Sequence, residues 1–303
     1  MDRFQSMQVF VTVADTEGFA SAARKLYMSP PAVTRTISAL EDHLGVMLFH
    51  RTTRQVKLTD AGLRYLEDCR RILADLVEAE ESVAGAHRVP RGKLSVTASS
   101  RFGHLHIAPL LFDFLERYPE MSVQTLFVDR VVDLIDEGLD VAVRIGELPD
   151  SSLTAIRVGS VRRVICAAPD YLDMRGVPQT PQDIQGHDIV QFSSLASKAE
   201  WRFKGVEGEI IVPFSTRFTV NTPDVAIAAA VAGRGLTMVL SYMIVPELMS
   251  GKLRIVLADY ENPPLPVHVV YQEGRKAAAK VRAFVDFAVE RLRTLAYLNS
   301  ALD

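Results

Sequence analysis

Ser29-Pro30-Pro31-Ala32-Val33-Thr34-Arg35-Thr36-Ile37-Ser38-Ala39-Leu40-Glu41 reads as the start and body of one helix. Ser29 suits the N-cap, because its hydroxyl can accept a bond from a free backbone N–H, and Pro30 fits the first helical position. Val33, Ile37, Leu40 and Leu44 follow at spacings of 4, 3 and 4, which predicts a buried stripe. Pro30, Pro31, Thr34, Arg35 and Ser38 then occupy the leading end and the opposite, polar face. Gly45 marks the stop.

Upstream, Phe4, Met7, Phe10, Val11 and Ala14 recur at helical spacing and predict a first helix with one apolar face. Gly18 interrupts it. Ala22, Ala23 and Leu26 face inward from a second short helix, and the alanines allow two helices to cross closely. A short helix, a tight turn and a second helix with a polar leading end make a helix-turn-helix. Downstream, Leu48 and Phe49 anchor a β-wing over Val46 to Thr59. Its tip carries Arg51 and Arg54, suited to phosphate or minor-groove contact. Three packed helices with a solvated face would share the helical spacing; the basic wing separates the two readings.

Whole-chain charge is −3 over 303 residues, but that is the wrong unit for a small DNA-contacting module. Between Arg24 and Lys57 six basic residues face two acidic ones, a window charge of +4, whereas Ala61 to Arg88 holds four arginines and six acids, −2. The positive charge is local.

Ala22-Ala23 with Leu26, Ser29 to Glu41, L-G-V-M-L-F-H-R (Leu44 to Arg51) and L-T-D-A-G (Leu58 to Gly62) together resemble the LysR-type transcriptional regulators in order, spacing and residue type. Two positions depart from the family pattern. His50 stands where the family often has an acidic or polar residue. Pro30 stands where glutamine is frequent; proline has no donor, which shifts base reading toward Thr34, Arg35 and contact with thymine methyl groups. The candidate DNA-binding set is therefore Ser29, Pro30, Pro31, Thr34, Arg35, Ser38, Arg51 and Arg54. The expected architecture is an N-terminal all-α winged helix-turn-helix with a long linker helix, then a C-terminal α/β domain of two subdomains like periplasmic binding proteins.

Domain limits follow composition: 1–60 for the winged helix-turn-helix, 61–88 for the linker helix, 89–92 for a hinge at Pro90-Arg91-Gly92, and 93–303 for the effector-binding domain. Its first subdomain covers about 93–161 and 267–303, its second about 162–266. In the linker, Leu66, Cys69, Leu73, Leu76, Glu80 and Val83 fall at heptad spacing, with Glu80 the weak point. That spacing suits a homodimer seam, or a helix lying on its own domain. The resemblance implies the dimer, extends it to a homotetramer, and leaves contact with RNA polymerase open. Two half-sites on one rigid pair also roughly double the specific term, at about 1–3 kcal/mol per base contact.

From Lys93 onward strands and helices alternate, as in a parallel α/β domain. Expected elements are a strand at Leu94 to Ala98, a helix from Phe102 to Tyr118, a strand at Met121 to Val128, a short helix at Val131 to Glu137 and a strand at Leu139 to Ile145. Then come a strand at Val161 to Ala167, helices near Tyr171 and at Pro223 to Ala232, strands at Leu253 to Val256 and Val267 to Tyr271, and a last helix at Ala277 to Leu295. In such folds a ligand sits at the carboxyl ends of strands, against helix N-termini. That places Ser99, Ser100, Phe102, Val128, Arg144, Gly146, Asn221 and Thr222 as candidates to bind a small-molecule effector, with Phe192 closing the cleft. Ser99, Ser100 and Thr222 read equally well as helix caps, and Arg144 as an ion-pair partner. Asp129 would oppose a carboxylate ligand.

Other functions fit less of the chain. H-E-x-x-H, G-x-S-x-G, P-loop and G-x-G-x-x-G patterns are missing, so no enzyme activity is expected. His104 and His106 flank Leu105 without an acidic or cysteine partner, and no metal or other cofactor is expected. Cys69 and Cys166 are far apart and read as buried thiols. A transport solute-binding protein would share the α/β fold but leaves residues 1–88 unexplained. Met1 to Asp15 lacks a cationic start followed by an apolar run, and no apolar stretch is long enough for a bilayer span, so a cytoplasmic location is expected.

Overall fold

The computed structural model describes residues 2–51, 56–83, 89–192, 198–272 and 278–298. The chain divides into two compact units, residues 1–87 and 88–303.

In the first unit, α1 (Arg3–Thr16), α2 (Phe19–Lys25) and α3 (Pro30–Leu44) precede a hairpin of β1 (Phe49–Arg51) and β2 (Val56–Leu58), then α4 (Asp60–Val83). Ala22 and Ala23 are fully shielded between the helices, as their size allows. Val9, Phe10, Val13, Val33, Ile37 and Leu40 form the core with Leu48 and Phe49 of the wing. The Phe10 ring lies 5.2 Å from that of Phe49 and 5.3 Å from that of Tyr65. Two apolar positions differ from expectation. Phe4 is 46% and Leu44 38% exposed, because each sits in the terminal turn of its helix, beyond the reach of the small core.

Ser29 takes the extended N-cap backbone, but its hydroxyl makes no capping bond. The helix start rests on the Ser29 carbonyl, which accepts from Ala32 and Val33 N–H, and on the two prolines. At the other end Gly45 adopts φ +69°, the left-handed stop that glycine makes without strain.

α4 serves this unit directly. Leu66 and Cys69, read as the start of an intermolecular seam, are buried in the unit's own core, and Arg70 pairs with Asp15 of α1. Heptad spacing cannot distinguish an intrachain partner helix from an interchain one, and α1 takes the first two seam positions. Leu73 and Leu76 remain half-buried on the same face. The Glu80 and Val83 side chains, and residues 84–88, lie outside the described residues.

The second unit holds two five-stranded sheets, ordered β4-β3-β5-β14-β6 and β11-β8-β12-β7-β13. The first contains β3 (Gly92–Ala98), β4 (Met121–Phe127), β5 (Val141–Ile145), β6 (Leu153–Val161) and β14 (Leu265–Gln272). The second contains β7 (Arg163–Ala167), β8 (Ile189–Phe192), β11 (Phe218–Val220), β12 (Leu236–Leu240) and β13 (Arg254–Val256). β3 pairs in parallel with β4 and β5. β6 leads directly into β7, and so carries the chain from one sheet to the other. At this crossing Ser241 donates its N–H to the Arg162 carbonyl at 2.8 Å, and its Oγ accepts from Arg162 N–H at 3.1 Å. A separate antiparallel hairpin, β9 (Glu200–Lys204) and β10 (Glu209–Pro213), packs Trp201, Phe203 and Val212 onto the second sheet's core.

The helices are α5 (Ser100–Phe102), α6 (Ala108–Arg117), α7 (Pro169–Arg175), α8 (Pro223–Val231), α9 (Val245–Met249) and α10 (Ala279–Arg293). α5 and α6 are joined by a π-helical turn, Gly103–Ile107, so the expected single helix carries a bulge. The helix expected over Val131 to Glu137 is instead a turn closed by Glu137 N–H to Asp133 O and Leu139 N–H to Leu134 O. The expected hinge residue Gly92 is the first residue of β3, opposite Met121.

Candidate functional site

α3 presents Pro30, Pro31, Thr34 and Arg35 to solvent, with Ser38 half-buried beside them. Thr34 donates its hydroxyl to the Pro30 carbonyl at 3.1 Å, which leaves its oxygen lone pairs and its methyl group outward. The wing hairpin aligns Phe49 with Leu58 and Arg51 with Val56. Arg54 lies outside the described residues, as does the Arg51 side chain. The wing is fixed to α3 by Glu41, a residue the sequence marked only as part of the helix. It is 4% exposed, and its Oε1 accepts from Leu48 N–H at 2.9 Å and Phe49 N–H at 3.2 Å. A carboxylate followed seven residues later by an apolar pair is the local signal, but only the folded chain brings them together.

In the second unit the carboxyl ends of β3, β4 and β5 face those of β8 and β12 across a cavity of about 940 Å³. Four candidates line it: Ser99, Val128, Arg144 and Phe192. Asp129 also lines it, and its carboxylate accepts from Ser100 N–H at 2.9 Å.

Five candidates stand elsewhere. Phe102 is wholly buried, because the first turn of α5 points its ring into the core rather than the cleft. Ser100 spends its hydroxyl on the Phe127 carbonyl at 3.3 Å, as well as its N–H on Asp129. Gly146 turns at φ +113° with its N–H bonded to the Pro266 carbonyl at 2.9 Å. Asn221 and Thr222 are exposed, outside the lining. Nearby, Arg101 pairs with Asp224 and donates to the Met243 carbonyl at 2.7 and 3.2 Å. This brace joins the first turns of α5 and α8.

Part of the lining comes from two strands that the sequence reading does not include: Trp201 and Arg202 of β9, and Met238, Val239 and Leu240 of β12. Five basic residues (Arg130, Arg144, Arg163, Lys198, Arg202) and three acidic ones (Asp129, Glu147, Glu200) line the cavity. Arg202 is held by Glu200 at 3.0 Å and Glu209 at 2.8 Å, and Arg130 by Glu137 at 2.8 Å. Among the described residues the side chains of Arg163 and Lys198 have no acidic partner.

The π turn carries both histidines considered as metal ligands. His104 is exposed, whereas His106 Nδ1 lies 2.9 Å from the Tyr297 hydroxyl. Among the described residues no cluster of three or more His, Cys, Asp or Glu side chains could hold a metal ion. Cys69 and Cys166 are both buried and free.

Both halves match family models: a bacterial regulatory helix-turn-helix of the lysR family over residues 4–63, and a LysR substrate binding domain over residues 87–293. The chain is a LysR-type transcriptional regulator. It is 35% identical over 288 residues to the HTH-type transcriptional activator AaeR of Escherichia coli, covering 94% of this chain and 93% of that protein. It is 32% identical over 291 residues to the regulator CrgA of Neisseria meningitidis serogroup B, covering 95% and 96%. Among solved structures, CrgA superimposes with a TM-score of 0.62 at 32% identity, covering 95% of this chain and 98% of that one. The Vibrio cholerae virulence activator AphB gives 0.61 at 27% identity, covering 95% and 99%. This LysR-type regulator thus combines a DNA-binding unit with a substrate-binding unit, and its relatives are transcription regulators rather than enzymes. No helix among the described residues is long and apolar enough to cross a membrane.

Proposed function

We propose that this regulator binds an interrupted dyad in promoter DNA as a cytoplasmic homo-oligomer and changes activity when a small anionic effector enters the cavity. The observation that carries the DNA half is the polar face of α3, set beside a wing that Glu41 locks in place. Arg35 reads a base edge, while Ser29 and the wing arginines Arg51 and Arg54 hold phosphates. Dimerisation runs along α4 from Leu73 onward, since Leu66 and Cys69 are already used within the protomer. A homotetramer and contact with RNA polymerase extend this assembly.

Arg35→Ala is expected to lower discrimination between operator and scrambled DNA by about 1–3 kcal/mol, leaving non-specific binding nearly intact. Quantitative gel shifts at several salt concentrations measure both terms. A native protein whose affinity ignored salt would make no phosphate contacts, and the reading would fall.

For the effector, the excess of basic over acidic lining, with Arg163 and Lys198 lacking an acidic partner among the described residues, favours a carboxylate, with Phe192, Trp201 and Met238 supplying apolar walls. Benzoate at 100 times its dissociation constant should stabilise the chain by about 2.7 kcal/mol. Arg163→Ala should weaken it severalfold more than it weakens benzamide. Equal losses for the two ligands would remove the anion from the proposal.

A further inference from the structure

Beneath the cavity-lining Ser99, within the core, four rings crowd together. His106 lies 4.7 Å from Phe102, 5.5 Å from Tyr242 and 5.2 Å from Tyr297, centroid to centroid, and Phe102 lies 5.2 Å from Tyr242. Ser99 Oγ, Tyr242 Oη and His106 Nε2 are each sealed from solvent and meet no hydrogen-bond partner among the described residues. Tyr242 as a whole is 1% exposed. The Ser99 hydroxyl lies close enough to Tyr242 to favour its ionised form, but falls short of hydrogen-bond geometry. Leaving one buried polar atom without a partner costs about 1–3 kcal/mol, and native structures rarely do so. Three in a single cluster need a shared explanation.

The cluster also spans the molecule's architecture. Ser99 and the π turn belong to the first sheet's half, and Tyr242 follows β12 of the second. π turns recur at functional positions, and this one sets His106 between Phe102 and Tyr297. Burial pushes the Tyr242 phenol up to about 12 and the His106 imidazole down to about 4, so both are neutral near pH 7. Of the charged neighbours, Asp129 and Arg101 act on Tyr242 in opposite directions. Those two opposite charges offset each other, so the neutral rings favour no charged guest, whereas a hydroxyl can donate and accept at once.

We propose that Ser99 Oγ, Tyr242 Oη and His106 Nε2 form a polar seat for one uncharged hydroxyl, supplied by a water molecule or by the effector itself. The effector half rests on the reading of the cavity given above. Tyr242 and His106 then become specificity residues, and an effector reaching the seat carries a hydroxyl at the end remote from Arg163 and Lys198. The bridge across the two halves gives such an effector a grip on both.

The test uses the full chain. Ser99→Ala and Tyr242→Phe should each lower the melting temperature by about 2–4 °C, and the double variant by little more than one of them, because both act through one bound group. Tyr242→Phe melting at or above the native temperature would show an idle hydroxyl and overturn the seat. Strictly additive losses would overturn the shared guest. Binding of 3-hydroxybenzoate and benzoate then identifies the hydroxyl's source. At least tenfold tighter binding of the hydroxylated probe, lost in Tyr242→Phe, assigns the seat to the effector. Equal binding of the two, or binding of neither, overturns that half and assigns it to water. Failure of both probes counts against the anion reading, while the melting cycle still decides the seat.

Discussion

Glu41→Ala is expected to destabilise the DNA-binding unit by about 2–6 kcal/mol and to abolish operator binding. The carboxylate is almost wholly buried, and one of its oxygens takes the N–H groups of Leu48 and Phe49. Alanine would leave both buried donors unanswered at about 1–3 kcal/mol each. Leu48 and Phe49 are core residues of the wing, so the hairpin loses its fixed position against α3. Glu41→Gln keeps an acceptor in place and should cost far less. Thermal unfolding of the full chain, together with operator gel shifts, measures the difference. Equal losses for the two variants would show that the acceptor is not what holds the wing. Melting of the substrate-binding unit should not change in either variant, since that unit has its own core.

Gly235→Ala is expected to cost more than about 4 kcal/mol and to prevent ligand binding. Gly235 sits at φ +137°, and a methyl there would lie 2.1 Å from the Asp188 carbonyl oxygen, a backbone atom with little room to retreat. That carbonyl also accepts from Leu236 N–H at 2.9 Å, where β12 begins. Relieving the clash moves β12 away from β8, and β12 presents Met238, Val239 and Leu240 to the cavity. Gly251→Ala provides the contrast. It shares a positive φ, +68°, but has nothing within 4 Å, so only the left-handed backbone penalty of about 1–2 kcal/mol applies. Urea unfolding of the two variants should separate them by several kilocalories per mole. Similar midpoints would mean that the close approach at Gly235 relaxes freely.

The two predictions fall on opposite sides of what a linear sequence can carry. Where α3 starts and stops was legible, because Pro30, Pro31 and Gly45 act through backbone geometry within a turn of themselves. The inward face of Val33, Ile37 and Leu40 was legible for the same reason: helical period alone puts them on one side. The local basic charge around the wing and the strands β3, β4, β5, β7, β13 and β14 needed only neighbouring residues. These features were enough to recognise a DNA-binding module joined to a ligand-binding one.

Packing between distant segments decided the rest. Leu66 and Cys69 keep a heptad rhythm that suits a partner helix of either chain, and only the folded unit gives them to α1. Phe102 lies four residues past the end of β3, yet its ring turns inward because the core beneath α5 needs filling. Trp201 and Met238 reach the cavity from strands far along the chain, and Thr222 is kept outside it. Tyr242 reaches Ser99 and His106 from far along the chain. The sequence by itself determined the helices of the first half and the kind of module each half forms, since those depend on interactions a few residues long. Which side chains share the cavity was decided by tertiary structure, since that depends on how two sheets, crossed by β6 and β14, bring their strand ends together.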